Sequence, residues 1–334
     1  MIRRKVLSNR HRSCLLRAFL LAKLVLFIAL PAYSESNDPH PAALVQSAIR
    51  LFASKDYVNA LQRFEAALQA NPTNEHLHAY AAFSYAKVGR YADAAKSYER
   101  ALTLSPSYLN AQINLCAVYE KLNELGNALL ACEKAVEMDP KSPLTLNDLG
   151  SIQFGLGRFP EAKRTFERVI ALDPALTVAY RNLAETYASL QQIPKAVEWE
   201  LKAIKLNAND VEAWQSLGHF YIELHSFREA VEAFEHARRI KPDHAPIYSG
   251  LTVAYTGLRK FGNAMKAAKQ AAKLDPTLAS AQYNLAILNT LEGDERTAFE
   301  ARRKLELLDQ DMAKRLAELL KSRYVTHVPD DQEP

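Results

Sequence analysis

Apolar positions return every 34 residues over most of the chain. Counted from Pro41, eight repeats follow one another without insertion: 41–74, 75–108, 109–142, 143–176, 177–210, 211–244, 245–278 and 279–312. Column 20 of the repeat is alanine every time: Ala60, Ala94, Ala128, Ala162, Ala196, Ala230, Ala264 and Ala298. Column 8 is always small, from Ala48 and Ala82 through Cys116, Gly150, Ala184, Gly218 and Thr252 to Ala286. Column 27 is alanine except at Val169 and Leu305, and column 7 is leucine from Leu115 to Leu285. Tyr85, Tyr119, Tyr187, Tyr221 and Tyr255 share column 11. Columns 4, 7, 8 and 11 lie on one helical face, and columns 20, 24 and 27 on another. Each repeat therefore predicts two amphipathic helices, A and B. Small residues at columns 8 and 20 let the two backbones approach closely, and large ones such as Phe64, Phe166 and Phe234 fill the space beside them.

Proline marks the boundaries. Pro72, Pro106, Pro140, Pro174, Pro242 and Pro276 stand one period or two apart, with Ala208 at the skipped place. The residue before proline is driven out of the helical region, so these prolines end helix B. Pro160 and Pro194 fall in a first helical turn, where a missing N–H is tolerated.

The pattern resembles the tetratricopeptide repeat. Repeat six carries it most fully, with Trp214, Leu217, Gly218, Tyr221, Ala230, Phe234, Ala237 and Pro242. The resemblance implies an all-α, right-handed α-solenoid over residues 41–312, with helix A lining a concave groove. Repeats one and eight depart most, at Ser47, Asn289, Glu295, Arg302 and Gln310. Beyond them, residues 313–325 place Leu316, Leu319, Leu320 and Tyr324 on one face. They read as the capping helix that an open-ended array needs. Residues 35–40 read as a linker and 326–334 as a disordered tail.

By the same resemblance, columns 2, 5, 6, 9, 12 and 13 face the groove. The peptide-binding residues this implies are Tyr80, Phe83, Asn114, Asn147, Asp148, Arg181, Asn182, Glu185, Gln215 and His219. Asn114, Asp148 and Asn182 occupy column 6 of three successive repeats, where related glycosyltransferase repeats carry a peptide-binding asparagine ladder. The alternative is an ordinary wet helical face. Phe52, Phe83, Ile113, Phe154, Ile222 and Ile287 are apolar candidates for an amphipathic helix, with Phe52 and Phe154 also suited to packing between repeats. Columns 2 and 6 hold no Lys or Arg, so the carboxylate clamp of chaperone-binding relatives is not expected.

Cys116 and Cys132 fall at columns 8 and 24 of one hairpin. They are either two buried thiols or a disulfide, which an oxidising compartment permits. Nothing among the nine histidines has metal-ligand spacing, and Gly155-Leu156-Gly157 lacks the strand and third glycine of a nucleotide loop. No cofactor, metal or catalytic residue is expected, and the chain reads as a non-enzyme.

Charge changes the picture at the N-terminus. The formal net charge is +4, but Arg3, Arg4, Lys5, Arg10, Arg12, Arg17 and Lys23 all precede residue 35, with no acid among them. The remaining residues hold 35 basic against 38 acidic side chains. A repeat region of that sign is not built for nucleic acid. The basic stretch, the apolar run Leu24–Leu30 and the small residues Ala32 and Ser34 have the order of a secretory signal over residues 1–34. An uncleaved membrane anchor and a transit peptide are the alternatives. The expectation is a periplasmic, exported scaffold, or one anchored in the inner membrane with the solenoid outside it. It would bind other proteins during assembly of a pilus, secretion or exopolysaccharide export complex. Two other roles fit the pattern: a non-catalytic substrate-selecting subunit of a glycosyl-transfer system, and a self-assembling scaffold.

Overall fold

A computed structural model describes residues 39–325, and every element in that range is a helix. The expected signal segment and the tail after Val325 lie outside the described residues. The helices fall into two units, dividing after Leu190 within the fifth repeat. The first unit holds α1 (Pro39–Ala53), α2 (Tyr57–Ala70), α3 (Glu75–Lys87), α4 (Tyr91–Leu104), α5 (Leu109–Lys121), α6 (Leu125–Met138), α7 (Pro143–Gly155), α8 (Phe159–Leu172) and α9 (Thr177–Ser189). The second holds α10 (Ile193–Leu206), α11 (Val211–Glu223), α12 (Phe227–Ile240), α13 (Ala245–Gly257), α14 (Phe261–Leu274), α15 (Ala279–Glu292), α16 (Glu295–Leu308) and α17 (Gln310–Val325). No helix among the described residues is long and apolar enough to cross a membrane.

Within each unit, helix A packs on helix B of its own repeat, and helix B packs on the next helix A. The column that is always alanine explains the spacing. All eight of its members, Ala60 to Ala298, are fully buried, and so is column 27 from Ala67 to Leu305. A methyl group at the contact keeps the helix axes close. The aromatic at column 24 then reaches across to column 8. A Cβ added to Gly150 would lie 2.7 Å from Phe166 Cε1, and one on Gly218 would lie 2.7 Å from Phe234 Cε2. These glycines are therefore packing residues, because the ring occupies the space a side chain would need.

Two turn types alternate. Between A and B, column 15 is left-handed in every repeat, with φ of 65° at Lys55, 84° at Gly89, 59° at Asn123, 75° at Gly157, 62° at Gln191, 58° at His225, 59° at Arg259 and 79° at Gly293. A left-handed residue stops helix A and lets its last carbonyls find donors. Column 16 then caps helix B, and Asp56 and Asp294 accept the N–H groups of Asn59 and Thr297. Between B and the next A, the residue before the proline leaves the helical region, and Asp173 and Asp275 are extended. Asn74, Ser142 and Asp210 accept from Leu77, Thr145 and Ala213 and start the helices that follow. Side-chain caps of this kind satisfy donors that a helix start leaves open.

Both ends differ from expectation. Helix α1 begins at Pro39, inside the segment read as linker. Helix α17 begins at Gln310, three residues before the expected cap. Gln310 occupies the column where most repeats have proline. The preceding Asp309 accepts the Met312 N–H at 2.8 Å, so the chain re-enters a helix at once.

Candidate functional site

Three of the expected groove residues gather in the first unit. Tyr80 and Phe83 on α3 and Asn114 on α5 line one recess, together with Phe52, Ala79, Tyr98, Tyr108, Asn110 and Ala111. They meet because helix A of each repeat packs beside helix A of the next. Columns on the same face then line up across repeats.

The recess has an aromatic wall. Phe52 lies edge-on to Tyr80, with centroids 5.1 Å apart, and tilted against Phe83 at 5.3 Å. Tyr80 stacks on the fully buried Phe64 at 5.4 Å. Such pairs hold each other's orientation and add about 1 kcal/mol apiece beyond burial. The Lys87 ammonium stands 4.9 Å from the Phe83 ring centre, a cation over a π-face at the edge of the wall. Burial and, next, the nearby Lys55 lower the Lys87 pKa. Tyr108 closes the far side, its ring edge-on to His76 and its hydroxyl 3.3 Å from His76 Nδ1. Burial pushes the Tyr80 phenol up and, with the charges of Tyr80 and Glu75, pushes Tyr108 up to about 12. Both phenols stay neutral donors at ordinary pH. Asn110 is exposed and Asn114 half-buried, one helical turn apart on α5.

The next group sits on α7 and α9. Asn182 Nδ2 donates to Asn147 Oδ1 at 3.0 Å, and both amides are buried. They brace adjacent A helices against one another. Asp148, beside Asn147, is the residue with the most unusual chemistry. Burial raises its carboxyl well above the ordinary aspartate value, the negative charge of Glu120 on α5 raises it further, and a hydrogen bond from Asn147 opposes both. Glu120 is itself raised by burial, with Lys121 opposing. The Glu120 charge acts on Asp148 from the neighbouring A helix, and burial favours the protonated form of Asp148. Arg181 and Glu185 on α9 are half-buried on the same series of helices.

Gln215 and His219 belong to α11 in the second unit. The His219 ring lies edge-on to Phe234 at 5.0 Å. Of the apolar candidates, Phe154 is buried and packs edge-on to Phe159 at 5.3 Å. Phe52 both packs and lines the recess.

Cys116 and Cys132 are joined as a disulfide, with Cα atoms 5.2 Å apart across the α5–α6 hairpin. Gln112 Nε2 donates to the Ala131 carbonyl at 3.0 Å in the same interface.

The residues named from sequence left out Tyr108, Asn110 and Glu120, although Asn110 and Glu120 stand at groove columns 2 and 12. Tyr108 is the last column of its repeat, outside both helices, and only the turn of the chain into α5 carries it to the recess. Asn110 was legible, one helical turn before Asn114.

Models of the tetratricopeptide repeat match residues 81–143, 153–218 and 211–244. No curated protein matches the chain. Among solved structures, yeast Tom70 is 17% identical with a TM-score of 0.58, over 90% of this chain and 68% of that one. The Cut9–Hcn1 hetero-tetramer of the APC/C matches at 18% identity and a TM-score of 0.57, over 85% of this chain and 56% of the other. PilF of Pseudomonas aeruginosa matches at 18% and 0.53, over 62% of this chain and 95% of that one. At such identities these likenesses are likenesses of fold.

Proposed function

The chain is a tetratricopeptide repeat protein, an all-helical scaffold for protein–protein contact, and from that premise we propose that it is exported and holds an extended peptide segment in the groove of its first unit. The observation that carries this reading is the recess between α3 and α5. An aromatic wall takes one apolar side chain, and the amides of Asn110 and Asn114 stand where they meet the backbone of the same segment. Asp148, kept toward its neutral form, adds a hydrogen-bond donor further along the groove. The wall is already packed ring on ring, so binding orders little of the scaffold. The basic, acid-free leader followed by Leu24–Leu30 supports export to the periplasm, with partners among the components of a pilus, secretion or exopolysaccharide export complex.

A photo-cross-linking residue placed at Asn110 in intact cells tests this. The expected result is a discrete envelope-protein adduct that Tyr80→Ala abolishes while helical content is unchanged. The same probe at exposed Gln69, on α2, should give no such adduct. Labelling that is equal from both positions, or insensitive to Tyr80, overturns the groove reading. N-terminal sequencing tests export separately, since a mature chain beginning at Met1 would remove the signal.

A further inference from the structure

The last two described helices, α16 and α17, leave a cleft between them. We propose that the face between α16 and α17 is a second docking surface, which takes an acidic amphipathic helix from a partner protein. The cleft has a volume of about 760 Å³ and is lined by Phe299, Arg302 and Arg303 of α16 and by Leu316, Leu320 and Lys321 of α17, among others.

Its position in the repeat explains it. Phe299 stands at column 21, and in complete repeats the following repeat covers that column. Leu61 is 5% exposed, Leu129 7% and Met265 6%, whereas Phe299 is 62% exposed. Met265 packs against Leu285 and Leu288 of the next repeat. Among the described residues α17 follows α16, and it leaves Phe299 exposed. The face between α16 and α17 is apolar at Phe299 and along the Leu316–Leu320 edge.

Charge selects the occupant. The lining holds three basic side chains, Arg302, Arg303 and Lys321, against the single acid Glu306. Arg302 is partly engaged with Glu295, at 3.2 Å. A second copy of this chain would present the same basic rim. Its α1, at the other end of the array, has Arg50 and no acidic residue. Like charge therefore disfavours self-pairing, and a helix with alanine and phenylalanine on one face and glutamate on the other fits both the shape and the sign.

The test uses the full chain and two labelled 16-residue peptides. Both carry Ala, Phe and Ala at the spacing of columns 20, 24 and 27, one with Glu and the other with Lys on the outer face. Fluorescence anisotropy should show the Glu peptide binding at least about tenfold more tightly than the Lys peptide. Phe299→Ser and Arg303→Glu, both at exposed positions, should each weaken it by about tenfold with circular dichroism unchanged. Tyr80→Ala, in the groove of the first unit, should leave it unaltered. No binding of the Glu peptide, equal binding of the two, or indifference to Phe299→Ser overturns the proposal. Self-association seen by light scattering and lost in Phe299→Ser, without peptide binding, assigns the cleft to a second copy and overturns it as well.

Discussion

The Tyr85 hydroxyl donates to Glu65 Oε1 at 2.5 Å, joining column 11 of one repeat to column 25 of the repeat before it. The pairing recurs. Tyr119 donates to Glu99, and Tyr187 donates to Glu167 at 3.2 Å. In each case the tyrosine follows the glutamate by 20 residues, so at these three boundaries one bond fixes how far helix A slides along the previous helix B. Burial first, and then the bond to Glu65, push the Tyr85 phenol up to about 12.

Tyr85→Phe should therefore lower stability by about 1 kcal/mol at neutral pH, the usual worth of such a bond. Its pH dependence has a definite sign. Unfolded tyrosine ionises near pH 10, while Tyr85 in the folded chain holds its proton to about 12. Its contribution is complete below pH 10 and is lost as pH rises through 12. Urea unfolding of the two proteins between pH 7 and 12 should show the gap close at the alkaline end. A gap that widens instead would contradict the pairing.

Column 15 is left-handed even where it is not glycine. A residue with a Cβ pays about 1 kcal/mol for that conformation. Arg259→Gly and Lys55→Gly should each raise the urea midpoint, whereas Gly89→Ala should lower it, because Gly89 has φ of 84° and open space around it. Arg259 and Lys55 are exposed, so nothing in the packing offsets the gain.

The Cys116–Cys132 bond closes a 16-residue separation in the sequence. A loop of that size stabilises by about 3 kcal/mol in the chain-entropy picture. Thiol titration of the denatured, unreduced protein should miss two groups that appear after reduction. Reduction should then lower the thermal midpoint. Two thiols reacting without reductant would show the pair open.

Asp148 has a pH dependence of the same sign as Tyr85, but in the acid range. Its folded carboxyl is raised by burial and by Glu120, so folding favours the protonated form. Stability from this group is complete below the unfolded value near 3.8 and is lost as pH rises through the folded one. Asp148→Asn should be more stable than the parent at pH 7. Its advantage should shrink toward pH 4, where the parent is protonated too. Thermal melts at the two pH values decide. A loss of stability in Asp148→Asn at pH 7 would mean that the carboxylate makes a bond the amide cannot replace.

The linear order of the fold could be read from the chain because each repeat is built from local rules. Alanine at column 20, a small residue at column 8 and proline after helix B are satisfied within 34 residues and their nearest neighbours. Helix positions therefore needed no knowledge of the whole. The recess was half-legible: Tyr80, Phe83 and Asn114 share groove columns, but Tyr108 belongs to no helix. The Tyr–Glu series was present as a spacing of 20 and carried no signal until the helices were side by side.

Sequence by itself determined the period, the turns between the inner helices and the small residues at each helix contact, since these follow from backbone sterics and the size of single side chains. Tertiary structure alone decided three other matters. It showed that Asn147 and Asn182 bind each other, that the charge of Glu120 reaches Asp148, and that a cleft lies between α16 and α17. Each depends on which side chains from different repeats come within a few ångströms, and a repeat pattern records that a column faces its neighbour without recording what the neighbour places there.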